Sequence, residues 1–208
     1  PEGIAQALLI SEEFIKDTQI TLILGDNLFF GNDLINKLKK AFKKQIGATV
    51  FAYPVVDPNR YGVVSFNKEN KVISIEEKPS SPKSRYAITG IYVYDSKVVK
   101  WCKKLKPSQR GELEISDLNS LYLKDNSLNV ELLGSGTTWL DTGTFESLYE
   151  ANSLIKTLDN RQGQKIGYPE EEAWRNGWIN KKQLITLAKK YYKNEYGKYL
   201  LELASNYI

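Results

Sequence analysis

The chain has 208 residues, 41% apolar and 26% charged, a balance that fits a folded globular domain and argues against disorder or a fibrous repeat. With no histidine and a single cysteine, Cys102, it excludes Ser-His-Asp and Cys-His catalysis, imidazole bases, His- or thiolate-ligated zinc and an internal disulfide framework. The 29 Lys and Arg against 25 Asp and Glu leave a formal charge of only +4, weak ground for binding nucleic acid.

Any catalytic metal is therefore expected to be a hard cation on carboxylate oxygens. No apolar stretch approaches the roughly 18 residues of a membrane span, the start lacks a signal-peptide pattern, and the lone thiol suits a reducing cytosol. The expected location is cytoplasmic, with no membrane and no nucleic acid as partner. The absence of methionine leads to the expectation of a processed, cut or fragmentary chain.

Residues 3–15 predict a helix, with Ile4, Ala7, Leu8 and Phe14 on one side. The apolar run 20–24, ending in Gly-Asp-Asn, predicts a strand covered on both faces. Asn32 or Asp33 caps a second helix whose Leu34, Leu38, Ala41 and Phe42 make a stripe at helical spacing. Lys37, Lys39, Lys40, Lys43 and Lys44 lie mostly off that stripe, where a solvated face is a simpler reading than an anion-binding patch. Gly47 ends this helix.

Strands are predicted at 48–55, 61–66, 72–76 and 86–94, and helices at 97–105 and 112–124. The stretch 130–140 contains a strand, with Gly134-Ser135-Gly136 read as a bulge. From 145 onward the chain reads as helical, with breaks near 163–169 and at Gly177, and Asn180 with Gln183 makes a capping-box start. The pattern is an open α/β sheet layered by helices, followed by a helical C-terminal subregion.

Ligands of open α/β sheets bind beyond the carboxyl ends of strands. Asp26 and Asp141 each close an apolar run, and each has a nearby glycine, Gly25 or Gly143, that lets backbone and ligand approach. Two carboxylates with open coordination positions suit Mg²⁺, which keeps waters and takes phosphate oxygens. Taken singly, Asp26 as a turn residue and Asp141 as a helix cap are the simpler readings. Glu77 and Lys78 sit just before Pro79, which disturbs strand regularity; they could accept sugar hydroxyls and hold a phosphate, or form a surface pair. Arg110 precedes a predicted helix and could bind phosphate there. Trp139 reads as packing. No Walker or Gly-x-Gly-x-x-Gly loop occurs.

Taken in order, the motifs resemble one family. They are Pro-Glu-Gly-Ile-Ala-Gln-Ala at 1–7, Leu-Gly-Asp-Asn at 24–27, Arg-Tyr-Gly-Val-Val at 60–64, Glu-Glu-Lys-Pro at 76–79 and Tyr-Ala-Ile-Thr-Gly-Ile-Tyr at 86–92. Arg-Gly-Glu-Leu-Glu-Ile-Ser-Asp at 110–117, Trp-Leu-Asp-Thr-Gly-Thr at 139–144, Arg-Gln-Gly at 161–163, Pro-Glu-Glu at 169–171 and Tyr-Gly-Lys-Tyr-Leu at 196–200 complete the series. Together they resemble the sugar-1-phosphate nucleotidyltransferases, specifically the short bacterial glucose-1-phosphate thymidylyltransferases, over essentially the whole chain.

The resemblance implies an open, mixed, mostly parallel Rossmann-like nucleotidyltransferase sheet. Residues 1–144 would form the α/β domain and 145–208 the helical subregion. The family's opening strand and Gly-x-Gly-Thr-Arg-Leu loop have no counterpart here, so an N-terminally truncated enzyme, inactive as a piece, is expected. Ser135 stands where the family usually has an arginine of the regulatory nucleotide site, which puts feedback control in doubt.

By resemblance, Asp26 and Asp141 hold Mg²⁺, and Gly3 with Pro1 lines the base pocket. Gly62, Glu77 and Ile88 contact glucose, Lys78 and Arg110 bind its phosphate, and Asn27 and Tyr61 lie beside the sugar. The implied reaction joins dTTP and glucose 1-phosphate into dTDP-glucose and pyrophosphate, in a homotetramer when intact. The sugar phosphate brings its own nucleophilic oxygen, which suits a chain without histidine. A non-catalytic sugar-phosphate-binding or regulatory module and a sibling using UTP or CTP are the alternatives.

Overall fold

The computed structural model describes residues 2–31, 33–163 and 165–206, the side chain of Asn206 excepted. The expected base-pocket residue Pro1 and the candidate cap Asn32 lie outside the described residues. The chain divides into two compact units, Pro1–Leu148 and Tyr149–Ile208.

In the first unit the helix expected over 3–15 forms as α1 (Ile4–Ile10) and α2 (Glu12–Ile15), joined at Ser11. Then come β1 (Ile20–Ile23), β2 (Asn27–Gly31), α3 (Leu34–Lys43), β3 (Ala48–Pro54), β4 (Gly62–Phe66), β5 (Val72–Glu77) and β6 (Tyr86–Tyr94). After α4 (Val98–Cys102), α5 (Ile115–Lys124) and β7 (Leu128–Leu132), β8 (Thr137–Asp141) closes the sheet-forming part.

β6 is the spine. Every residue after Tyr86 in it is buried, because both faces are covered. Ile88, Tyr92 and Tyr94 pack with Ala5 and Leu8 of α1, Val98 and Cys102 of α4, and Leu118 and Tyr122 of α5. Ile91 and Val93 point the other way, into a smaller cluster with Phe51, Ala41 and the α3 stripe residues Leu34 and Leu38. Alternate side chains of one strand thus serve two helix layers, and the strand reads as an unbroken apolar run.

The main sheet has the order β5-β4-β6-β3-β7, with β1 also on β6. The mixed α/β class agrees with expectation. The pairing is less parallel than expected: β3–β7 is parallel, whereas β1–β6, β3–β6, β4–β5 and β4–β6 are antiparallel. The apolar run of β6 reports that both of its faces are covered, not which way its neighbours point, whereas β1, expected to be covered on both faces, exposes one, with Ile23 at its surface.

One edge of β6 carries β3, in register at 86–88 and 92–94 with an irregularity between Val50 and Ala52. The other carries β4 at Tyr86 and Ala87, then β1 from Ile91 to Tyr94. Between these partners, around residues 88–90, the sheet splits.

The sequence reading missed β2 and merged β7 with β8. β7 joins the main sheet beside β3, while β8 leaves it to form a two-stranded ribbon with β2. Gly134-Ser135-Gly136 is therefore the passage between two sheets, not a bulge. α5 starts at Ile115, three residues later than expected, because 108–112 close a turn through Ser108 N–H to Glu112 O (2.8 Å), with Gly111 at φ +76°. Of the lysines around α3, Lys37 pairs with Asp33 and both Lys40 and Lys44 with Glu131, as on a solvated face.

Helix α6 (Phe145–Gln162) spans the unit boundary, and α7 (Pro169–Arg175), α8 (Lys181–Ala188) and α9 (Glu195–Asn206) build the second unit. Its core is Leu184, Ala188, Leu200, Leu203 and Ala204. The expected capping box forms: Gln183 N–H donates to Asn180 Oδ1 (3.0 Å) and Asn180 N–H to Gln183 Oε1 (2.8 Å). Among the described residues no helix is long and apolar enough to cross a membrane.

Candidate active site

The split beside β6 opens into a pocket lined by Asp26, Asn27, Arg60, Tyr61, Gly62, Glu77, Lys78, Ile88, Gly90, Tyr92, Arg110, Trp139 and Asp141, with Ile4, Leu24 and residues 112–116 (Glu112, Glu114, Ile115 and Ser116) completing it. Nine of the expected site residues, from distant parts of the chain, thus meet. Gly3 is not among the lining residues. It adopts φ +101°, and a Cβ there would lie 2.6 Å from Leu113 O, so it serves a close backbone approach.

The acidic wall comes from the β2–β8 ribbon. Asn27 pairs with Asp141 in register, so Asp26, in the turn ahead of β2, comes beside the end of β8. Thr142 N–H ties the two ends by donating to Asp26 O (2.7 Å). Asp26 does occupy a turn, as its simpler reading required, and lines the pocket as well, whereas Asp141 does not cap the helix that follows. Thr144 caps α6, exchanging hydrogen bonds with Ser147 (Ser147 N to Thr144 Oγ1 and Thr144 N to Ser147 Oγ, both 3.1 Å). The Asp141 carboxylate faces the pocket, taking bonds from Tyr61 OH (2.6 Å) and Arg60 Nη2 (3.2 Å). Asp26 Oδ1 accepts from Asn27 Nδ2 at 2.7 Å. Burial, with the bond to Asp141 second, pushes the Tyr61 phenol up to about 12, so it stays a donor near neutrality.

The two cations Lys78 and Arg110 come from the end of β5 and the loop before α5. Lys78 adopts φ +41°, a left-handed conformation that is costly for a lysine. That twist is why Glu77 and Lys78, which a regular strand would send to opposite faces, line one pocket. Among the described residues Lys78 has no ion pair, whereas Arg110 lies 3.7 Å from Glu77, 3.3 Å from Glu112 and 3.4 Å from Glu114. Arg110 therefore belongs to an acidic nest, not to a bare helix start. Ser116 Oγ donates to Glu77 Oε2. Gly62, opposite Glu77 in the β4–β5 ladder, leaves room for that bond, since a Cβ there would lie 2.7 Å from Ser116 Oγ.

Arg60, Glu112, Glu114, Ser116 and Tyr92 were not expected in the site, and Trp139 was read only as packing. Arg60 stood in plain view beside Tyr61, but no local signal assigns a partner 81 residues away. Among the described residues no three His, Cys, Asp or Glu come together as a metal cluster. A divalent cation on Asp26 and Asp141 would thus have two protein carboxylates, hard oxygen donors of the kind Mg²⁺ takes alongside water and phosphate. The donor set fits, with Arg60 as the rival for Asp141.

The nucleotidyl transferase family profile matches residues 1–157. The chain belongs to the nucleotidyl transferase family. A glucose-1-phosphate thymidylyltransferase of Neisseria meningitidis is 54% identical over 203 residues, 98% of this chain and 70% of that protein. One from Xanthomonas campestris is 51% identical over 204 residues, covering 98% and 69%. A solved Bacillus anthracis structure assigned to glucose-1-phosphate thymidylyltransferase, in complex with sucrose, superposes with TM-score 0.66 at 46% identity, covering 74% of this chain and 61% of that one. UDP-glucose pyrophosphorylase with UDP-glucose superposes at TM-score 0.63 and 22% identity, a likeness of fold alone. Membership places this nucleotidyltransferase among enzymes and favours that reading over a non-catalytic module.

Within it, the Glu77 carboxyl titrates above its ordinary range, chiefly because burial disfavours the charge; the nearby Glu114 raises it further and the Ser116 bond opposes the shift. A raised carboxyl stabilises the fold below the unfolded-state value, and that contribution is lost as pH rises through the folded-state value. Glu77→Gln is therefore expected to melt above the unsubstituted protein at pH 7–8, with the gap closing near pH 4. Calorimetric melting at both pH values checks this.

Proposed function

We propose that this pocket binds glucose 1-phosphate and presents its phosphate oxygen to the α-phosphorus of dTTP, forming dTDP-glucose. The observation that carries the reading is the convergence of an acid pair, Asp26 and Asp141, and a cation pair, Lys78 and Arg110, on one pocket from four separate chain segments. Bringing two polyanions together is the electrostatic difficulty of the reaction, and such an arrangement addresses it.

Glu77, held by Ser116, accepts hydroxyl hydrogens of the sugar. Lys78 holds the sugar phosphate as a point charge, and Arg110 turns from its carboxylates to the same phosphate. Asn27 and Tyr61 border the sugar, and Ile88 provides an apolar floor beneath it. In the transfer a bond forms between the sugar-phosphate oxygen and the α-phosphorus. The bond from the α-phosphorus to the bridging oxygen breaks in line, and pyrophosphate departs with the electron pair. No protein base is needed, because the attacking oxygen is already anionic. Asp26 and Asp141 would hold Mg²⁺, which when bound supplies charge neutralisation at phosphate oxygens.

Calorimetric titration with glucose 1-phosphate tests the phosphate assignment. Lys78→Ala and Arg110→Ala are each expected to weaken binding by about 10–100-fold, the range of one charge-assisted hydrogen bond, while binding of glucose itself changes little. Unaltered glucose 1-phosphate affinity in both variants would place the phosphate elsewhere.

A further inference from the structure

Asn27 makes more bonds than a sugar-side neighbour needs. Its Oδ1 accepts from Trp139 Nε1 (2.7 Å) and from Gly90 N–H (3.2 Å), while its Nδ2 donates to Asp26 Oδ1 (2.7 Å). An amide has one acceptor end and one donor end, and turning it over would set its oxygen against the Asp26 carboxylate and its NH₂ against two N–H groups. Two fixed donors therefore dictate which way the amide faces.

The donors themselves are rigid. Gly90 belongs to the buried spine strand β6, and Trp139 is 7% exposed, wedged against Tyr53 and Tyr61. A side chain at position 90 would collide with the arrangement: a Cβ there would lie 2.7 Å from both Cγ and Nδ2 of Asn27 and 2.8 Å from Oδ1. The glycine is thus the seat of the amide.

We propose that Trp139, Gly90 and Asn27 form a positioning relay whose output is the orientation of the Asp26 carboxylate, so that Trp139 acts on cation binding without touching the cation. This rests on the reading of Asp26 and Asp141 as the divalent-cation pair. The indole N–H and the Gly90 N–H lock the amide, and the amide NH₂ holds Oδ1 of an otherwise exposed aspartate, leaving Oδ2 for a ligand. An aspartate so held loses less rotamer freedom when a cation arrives.

The test uses Mn²⁺ as the probe, titrated calorimetrically into the full chain, with Trp139→Phe, Gly90→Ala and the double variant. Trp139→Phe keeps an aromatic wall and removes the N–H. Gly90→Ala displaces the amide from the opposite side and leaves the indole intact, so the proposal stays testable if one variant folds poorly. Each single change is expected to raise the Mn²⁺ dissociation constant about 3–10-fold, the scale of one oriented hydrogen bond. The double variant is expected to be no worse than the weaker single, because both act through one amide. Unchanged Mn²⁺ affinity with only a lowered melting temperature, or losses that multiply in the double variant, would overturn the relay. If the unsubstituted chain binds Mn²⁺, Asp26→Asn loses it and the relay variants do not, the relay alone fails. If the unsubstituted chain takes up no Mn²⁺, the cation pair fails and the relay with it.

Discussion

Asp26→Asn is expected to lower turnover about 100-fold or more, measured as pyrophosphate release by the full-length protein at saturating Mg²⁺ and both substrates. That is the scale of removing one preorganised charged group from a transition state that gathers negative charge. The substitution is nearly isosteric. Asp26 is exposed, and its carboxylate bonds within the chain only to the neighbouring amide among the described residues, so melting temperature should barely move. Affinity for glucose 1-phosphate without a divalent cation should also persist, because Glu77, Lys78 and Arg110 line the pocket from other segments and none of them bonds to Asp26 among the described residues. Near-normal turnover would remove Asp26 from the cation site.

The largest expected loss of stability lies away from the pocket. Asp95, 3% exposed, follows β6 and accepts three hydrogen bonds: from Gly47 N–H (2.8 Å), Lys97 N–H (3.0 Å) and Tyr122 OH (2.8 Å). It fastens the entrance of β3, the start of α4 and the core face of α5 to the end of the spine. Asp95→Ala would leave two N–H groups and a phenol without their acceptor, and Tyr122 is already held far above its ordinary titration range by burial and by this contact. The expected cost is about 3–5 kcal/mol, the range for breaking a buried charged network. On the order of 10 °C in melting temperature should follow for a unit of this size. Scanning calorimetry reads it directly, and a shift under a degree or two would show that water replaces the carboxylate.

Most of the elements were legible because their burial is one-sided or complete. The α3 stripe, the apolar run of β6 and the Asn180 box each leave a local signature. β2 left none: Asn-Leu-Phe-Phe-Gly lies in a ribbon whose partner is more than 100 residues away, and all five residues are half-buried, without alternation. Strand direction was equally hidden, since a covered strand has the same composition whichever way its neighbour runs.

In the site, the residues were legible as motifs and their partners were not. Glu77 and Lys78 could be expected together, but their shared orientation depends on the left-handed turn at Lys78, which composition does not announce. Arg110 could be read as a cation, yet Glu77, Glu112 and Glu114 around it emerge only from folding. Trp139 shows the limit most clearly. Its ring packs as expected, and its single polar atom reaches the amide beside Asp26.

The split along β6 has a consequence for motion. Ile88 and Tyr92 are paired with β3 on one side, while Arg60 ends a single 3-10 turn and Lys78 and Arg110 sit just outside regular strands and helices. Amide hydrogens of the floor should exchange with deuterium only through rare global opening, and those of the rim through frequent local excursions. Ligand should therefore slow exchange around the rim and leave the floor as it was, so that recognition amounts to quieting a mobile border around an immobile base.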